Sequence, residues 1–270
     1  MPDITELIKK WWKQILAVVI VSLLAVSIIV FSKPLQYVSV VTAVPASSYS
    51  SDRSKIFNEN VQQLYSTLGT PDDLDMIVGT GNLDTVYLTV AQQFNLYDHY
   101  KMGEKGDAAI NKAASILKKN TKVIKSEYGE LKVRVWDTDK SLAPQLANAV
   151  IDQLHSIHQH LQSAGNEATL RGLLKGKEKI QQELDSISVT LPENKIVLQN
   201  KLMEYEKLIG EYQLMVDSKP PVIIIVERAK RSDWPDRPKR MQVLIATAVL
   251  SFLFGLFLAL ILERSKNARQ

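Results

Sequence analysis

Two apolar stretches, Ile15–Phe31 and Val243–Leu262, stand near the two ends of this chain, with roughly two hundred mostly polar residues between them. This spacing predicts a hairpin of two membrane helices carrying one large water-facing region. The second stretch, VLIATAVLSFLFGLFLALIL, has no charge over twenty residues. At 1.5 Å per residue it matches the ~30 Å hydrocarbon core of a bilayer. The first is seventeen residues long and contains two serines. A cleaved signal peptide is the alternative reading for it, with Ala43 and Ala46 marking a downstream site. The apolar part of such peptides runs about 7–15 residues, so the length of this run and the Ser32-Lys33-Pro34 that follows favour an uncleaved anchor.

Orientation follows from Lys and Arg in the short segments, because long loops cross a membrane largely regardless of charge. Lys9, Lys10 and Lys13 precede the first stretch, Arg264, Lys266 and Arg269 follow the second, and only Lys33 stands just beyond the first. The expected layout is therefore a cytoplasmic tail at residues 1–14, a span at 15–32, an outer region at 33–241, a span at 242–262 and a cytoplasmic tail at 263–270. Against it, Arg228, Lys230, Arg231, Arg237, Lys239 and Arg240 crowd the outer approach to the second span. Trp11 and Trp12 on one side, with Tyr37 and Trp234 on the other, suit the aromatic belts of the two interfaces.

The formal charge of +4 suggests nucleic acid at first sight. Three of those charges belong to the two short tails, which leaves about +1 for the outer region and no nucleic-acid footprint. The absence of cysteine excludes a disulfide scaffold and thiol chemistry. Two hundred residues bury a core without staples.

Within the outer region, Gln36–Val44 is β-branched and partly alternating, which predicts a strand. A Ser-rich connector follows over Ala46–Ser54. Lys55–Leu68 and Leu83–Tyr100 have helical spacing, separated by Pro71 and the Gly79-Thr80-Gly81 turn. Asp107–Lys119 is a further helix. Thr121–Glu127 and Glu130–Trp136 predict a hairpin turning at Gly129, with Leu131, Val133 and Val135 on one face and Lys132, Arg134 and Trp136 on the other. From Asp139 the pattern becomes long helices. Leu142, Leu146, Val150, Leu154, Ile157 and Leu161 form one stripe, with Asp137 or Asp139 as cap and a weakening or break of the helix at Ser163–Asn166. Heptad-like steps from Leu173 to Leu191 and from Leu198 to Val216, joined at Leu191–Asn194, imply an antiparallel helical hairpin. Val222–Val226 reads as a buried strand. Pro235 and Pro238 then make the link to the second span extended and stiff. The expected fold is α+β, with two transmembrane helices flanking a membrane-proximal α/β base (35–138 and 218–235) and an extended helical arm (139–217).

On these residues the chain resembles the Wzz-type chain-length determinants, or polysaccharide co-polymerases, of bacterial inner membranes. The resemblance rests on the two-span layout and on VRVWDTDKSLAPQLANAVI (Val133–Ile151), with Asp139, Ala147 and Asn148 at the family-like helix start. It rests further on the β-branched strand followed by Ala229, on the segment Trp234–Arg240 with Pro235, Pro238 and Arg240, and on Gly255 inside the second span. Two departures stand out: the arm is short for the family, and the segment has two prolines where many members have three. The resemblance implies a non-enzymatic homo-oligomer in the bilayer, its central domain periplasmic. It would work with a separate membrane polymerase, and with the growing polysaccharide as a further partner, to set the length of O-antigen, capsule or exopolysaccharide. No cofactor is implied.

Other chemistry has weaker claims. Asp152, His155, His158 and His160 form a helical cluster, with a polar helix face as the plainer account than a metal site. Gly172-Leu-Leu-Lys-Gly176-Lys177 is one residue short of a phosphate-binding loop, lacks the following Ser or Thr, and lies inside the heptad pattern; its glycines soften the arm or admit a close helix. Asp72, Asp73 and Asp75 read as a helix N-terminus rather than a glycosidase pair. Tyr87, Tyr97, Tyr100 and Trp136 suit core packing better than sugar stacking. A membrane sensor shares the layout, but only eight residues follow Leu262; an adaptor for a separate tyrosine kinase would use that same short tail, which has no tyrosine.

Overall fold

The computed structural model describes residues 4–46, 71–103, 106–186 and 192–267. The expected helix Lys55–Leu68, most of the Ser-rich connector and Leu191 lie outside them. The protein mixes helix and sheet, and divides into two compact units, one formed by Met1–Val38, Trp136–Lys140 and Ser232–Gln270, the other by Ser39–Val135 and Ser141–Arg231.

The first unit is built on helices α1 (Ile4–Ser32) at the N-terminal end and α8 (Arg240–Asn267) at the C-terminal end. Within them, Leu7–Ser32 and Arg240–Arg264, of 26 and 25 residues, are long and apolar enough to cross a membrane. Helix α1 begins at Ile4, so the expected N-terminal tail is helical from there and continuous with the first apolar stretch. Its residues are good helix formers without Gly or Pro, and Leu7, Trp11 and Ile15 recur every four positions. Leu7, Ile15 and Ala259 form a buried cluster with Trp11 and Leu256 packed against it. Lys10 Nζ lies 2.6 Å from Glu263 Oε1, and Trp11 Nε1 donates to Glu263 Oε2 at 2.8 Å. The start of α1 therefore meets the end of α8, and the pair is antiparallel. The remaining surface exposes Val21, Leu24, Ile28, Leu250 and Phe254, a continuous apolar coat that suits lipid rather than water.

The second unit holds most of a four-stranded sheet, with β1 (Tyr37–Pro45), β2 (Thr121–Lys125), β3 (Leu131–Asp137) and β4 (Ile223–Glu227) in the order β2-β3-β1-β4. Strands β2 and β3 form the expected antiparallel hairpin, from Thr121 opposite Val135 to Lys125 opposite Leu131. Gly129 turns it at φ +73°, a conformation that costs glycine little. Strand β4 pairs antiparallel with β1, and its register skips Val226 between Glu227 and Ile225. That bulge leaves Val226 exposed at the sheet edge.

Helices α2 (Pro71–Thr80), α3 (Asp84–Gln93), α4 (Leu96–His99), α5 (Asp107–Lys119) and α6 (Leu142–Ser186) contribute to one core with the strands. Leu74, Ile77, Val86, Leu117, Leu146 and Ile151 are among its fully buried residues. Helix α2 starts at Pro71, where a proline is well placed at a first helical position, so the helix N-terminus read at Asp72, Asp73 and Asp75 is present and the expected turn narrows to Gly81-Asn82. The single helix expected over Leu83–Tyr100 is two, divided where Asn95 adopts φ +48°. Asparagine tolerates that left-handed conformation better than most residues. The break expected at Ser163–Asn166 is absent, and α6 runs unbroken for 45 residues.

Helix α7 (Pro192–Ser218) returns along α6. Gln159 Nε2 donates to the Lys219 carbonyl, Lys177 Nζ lies 2.8 Å from Glu206 Oε1, and a Cβ on Gly176 would press on the Tyr205 ring. These pairs run in opposite senses along the two helices, so α6 and α7 are antiparallel. Their heptad positions, Leu173, Ile180 and Leu184 against Leu198, Leu202, Tyr205 and Ile209, are only half-buried. Two helices alone cover a seam from just one side each.

Candidate functional site

In the first unit the segment before α8 is tied to the chain at two separate places. Gln36 and Arg237 form an antiparallel bridge: Gln36 N–H donates to the Arg237 carbonyl at 2.9 Å, and the Asp236 and Arg237 N–H groups donate to the Gln36 carbonyl at 2.9 and 3.2 Å. Trp136, at the end of β3, donates from Nε1 to Asp236 Oδ2 at 2.7 Å, and the Arg237 guanidinium lies 3.7 Å from a Trp136 ring centroid. A carboxylate acceptor strengthens the first contact, and stacking a cation on an indole contributes on the order of 1 kcal/mol. The Arg237–Pro238 peptide is cis. Pro235 is exposed and Pro238 half-buried. Arg240 donates from Nη2 to the Lys33 carbonyl at 3.4 Å and lies 4.6 Å from the Phe31 ring centroid.

The Asp139 N–H donates to Asp137 Oδ1 at 2.8 Å in the turn after β3, and α6 starts at Leu142. The Asp137 carboxylate thus closes an Asx-type turn, a local bond that competes with helix formation. Gly255 is buried in the helix pair, where a Cβ would come 3.1 Å from Ile15 Cγ2 and 3.4 Å from Ile15 Cα. Ser251, Gly255 and Ala259 are all buried at four-residue intervals, the small-residue spacing that lets two helices approach closely.

In the second unit a side-chain clamp holds the chain beyond β4. Asn148 Oδ1 accepts from the Ala229 N–H at 3.0 Å, and Asn148 Nδ2 donates to the Ala229 carbonyl at 3.4 Å. Arg228 Nη1 reaches both oxygens of Asp152 at 2.9 and 2.8 Å, and Ser39 Oγ donates to the Lys230 carbonyl at 2.8 Å. Ala147, beside the clamp, is fully buried.

The histidine cluster does not converge. Asp152 is taken by Arg228, His158 is buried with Nε2 2.9 Å from Thr80 Oγ1, and among the described residues no three His, Asp or Glu side chains gather where an ion would sit. Burial holds His155 below the usual imidazole range, outweighing the attraction of Asp152. The nearby depression lined by Ser156, Gln159, His160, Ser163, Glu167 and Lys219 is open and polar. Of the four aromatic residues considered for sugar stacking, Tyr87 and Trp136 are buried, and Tyr97 and Tyr100 pack on the core. The Tyr87 hydroxyl donates to the Gly81 carbonyl, and burial pushes its pKa up to about 12. Gly81 is required there by closeness: a Cβ would come 2.9 Å from Val123 Cβ.

The contacts of Trp136 and Arg228 escape sequence reasoning. Trp136 stands on the charged face of β3, which is a signal that the face is covered; its partner, a hundred residues away, has no such mark.

No protein-family model matches the chain, and no curated protein matches it. Among solved structures it is similar to a full-length bacterial polysaccharide co-polymerase, at 12% identity and a TM-score of 0.44 over 99% of this chain and 98% of that one. It is also similar to a fragment of WzzB, the polysaccharide co-polymerase from Salmonella Typhimurium, at 12% identity and a TM-score of 0.29 over 75% of this chain and all of the fragment. Both of these structural neighbours are polysaccharide co-polymerases.

Proposed function

We propose that this protein regulates the chain length of a bacterial surface polysaccharide, as a non-enzymatic homo-oligomer of the inner membrane acting beside a separate polymerase. Both termini are cytoplasmic, and the region between the two apolar helices is periplasmic, where the growing polysaccharide is within reach. The observation that carries this reading is that the resemblance residues, distant in sequence, pair with one another. Asn148 of the family-like helix start holds Ala229 beyond the β-branched strand, and Trp136 of the family-like strand end holds Asp236 and Arg237 of the Pro-rich segment. Motifs matched by chance have no reason to meet. The Pro-rich segment is thereby held beside Trp136 at the start of α8.

The test is a gel profile of surface polysaccharide, with total sugar quantified, from cells lacking the gene and from cells carrying Pro235→Ala/Pro238→Ala. The expected result is loss of a defined length distribution at nearly unchanged total sugar, with a broadened distribution in the double variant. An unchanged profile in the deletion would overturn the reading and favour the sensor or kinase-adaptor classes; complete loss of polymer would point to assembly or export instead.

A further inference from the structure

The end of the helix pair where α1 stops and α8 starts gathers cations. Arg240 Nη2 donates to the Lys33 carbonyl, and Lys239 directly precedes Arg240. The Lys33 and Lys239 side chains are exposed. The Arg240 guanidinium lies over Phe31, and its buried Nε has no hydrogen-bond partner among the described residues. Asp236, the acidic residue next along the chain, is engaged by Trp136. Helix α8 begins at Arg240, which adds the positive end of a helix dipole. On the same short segment Trp234 is 83% exposed, and exposed tryptophan at the end of an apolar helix belongs at the headgroup level.

On a water-facing surface these cations would need no explanation. Here they stand at the boundary between an apolar helix coat and polar chain, the depth at which a bilayer presents its phosphates. We infer that Lys33, Lys239 and Arg240 form a phosphate-binding site for the headgroup of an anionic phospholipid, with Trp234 as its interfacial anchor. The two lysines supply mobile point charges. Arg240, fixed by the Lys33 carbonyl and the Phe31 ring, supplies a fork suited to phosphate oxygens.

The inference rests on the reading that α1 and α8 cross a bilayer, and the experiment separates the two. The full-length protein is first floated with phosphatidylcholine vesicles and washed with carbonate. Phosphatidylglycerol or phosphatidylcholine is then titrated onto detergent-solubilised protein, and bound lipid is read by native mass spectrometry. Phosphatidylglycerol is expected to bind more tightly, with an advantage that shrinks as salt rises. Lys33→Gln/Lys239→Gln should weaken its binding roughly 25-fold, about fivefold per lysine, and leave phosphatidylcholine binding unchanged. Arg240→Lys keeps the charge but not the fork, and should retain part of the preference. Equal binding of the two lipids, or no effect of the double variant, overturns the site while leaving the spans intact; failure to float overturns both. Competition by inorganic phosphate at millimolar concentration would make the ligand a free phosphate and overturn the lipid assignment.

Discussion

Asn148 illustrates how much one polar side chain does in a thin α/β unit. Its amide satisfies both backbone groups of Ala229 after β4 has ended, where no further strand pairing is available. Asn148→Ala leaves a partly buried N–H and C=O without partners and should destabilise the second unit by about 1–3 kcal/mol. Asn148→Asp keeps the acceptor for the Ala229 N–H but sets a carboxylate oxygen against the Ala229 carbonyl and one turn from Asp152, so its cost should be at least as large. Thermal unfolding of the full-length protein in detergent checks both; equal and negligible effects would remove the clamp as a structural element. The sequence offers Asn148 only through the family resemblance. Nothing in its local pattern says what it binds, because a hydrogen bond across eighty residues has no local signature. Buried apolar positions are far more legible: Leu131, Val133 and Val135 declare their face by strict alternation, and all three are fully buried.

At the scale of elements, legibility follows from how completely local chemistry decides the outcome. Helix α5 has the bounds the sequence predicts, since Gly106 before it, Lys118 and Lys119 in its last turn and a clear apolar stripe all agree. The continuity of α6 was not legible, because Ser163, Gly165 and Asn166 are each poor helix formers and no local pattern records that α7 packs along α6. This implies a reserve of stability in the glycines. Gly165 and Gly172 have open space where a Cβ would go, so Gly165→Ala and Gly172→Ala should each stabilise α6 by about 0.5–1 kcal/mol. Gly176→Ala should gain less or lose, since the Tyr205 ring must move aside. Hydrogen-exchange protection across residues 160–180 measures this; equal gains at all three positions would mean that Gly176 is not a contact glycine.

At the scale of the whole molecule, cations gather at both ends of the helix pair. Lys9, Lys10 and Lys13 stand at the end of the helix pair where Lys10 meets Glu263, and Lys33, Lys239 and Arg240 stand at the other. The two clusters are comparable in size, so the proposed orientation turns on the order of the helices rather than on the count. The first helix usually decides, and Lys33 is the lone cation close beyond it; the proposed orientation accordingly has residues 1–14 in the cytoplasm and the β2–β3 hairpin in the periplasm. Since the chain has no cysteine, single cysteines can report this without background. Tyr128 is 87% exposed at the hairpin turn, so Tyr128→Cys should react with a membrane-impermeant maleimide on intact spheroplasts. Lys9→Cys should react only after the membrane is opened. The reverse pattern would place the α/β unit in the cytoplasm, away from any periplasmic polymer. It would end the chain-length reading, yet it would leave the antiparallel helix pair and the cations at its α8 start in place, facing the anionic cytoplasmic leaflet.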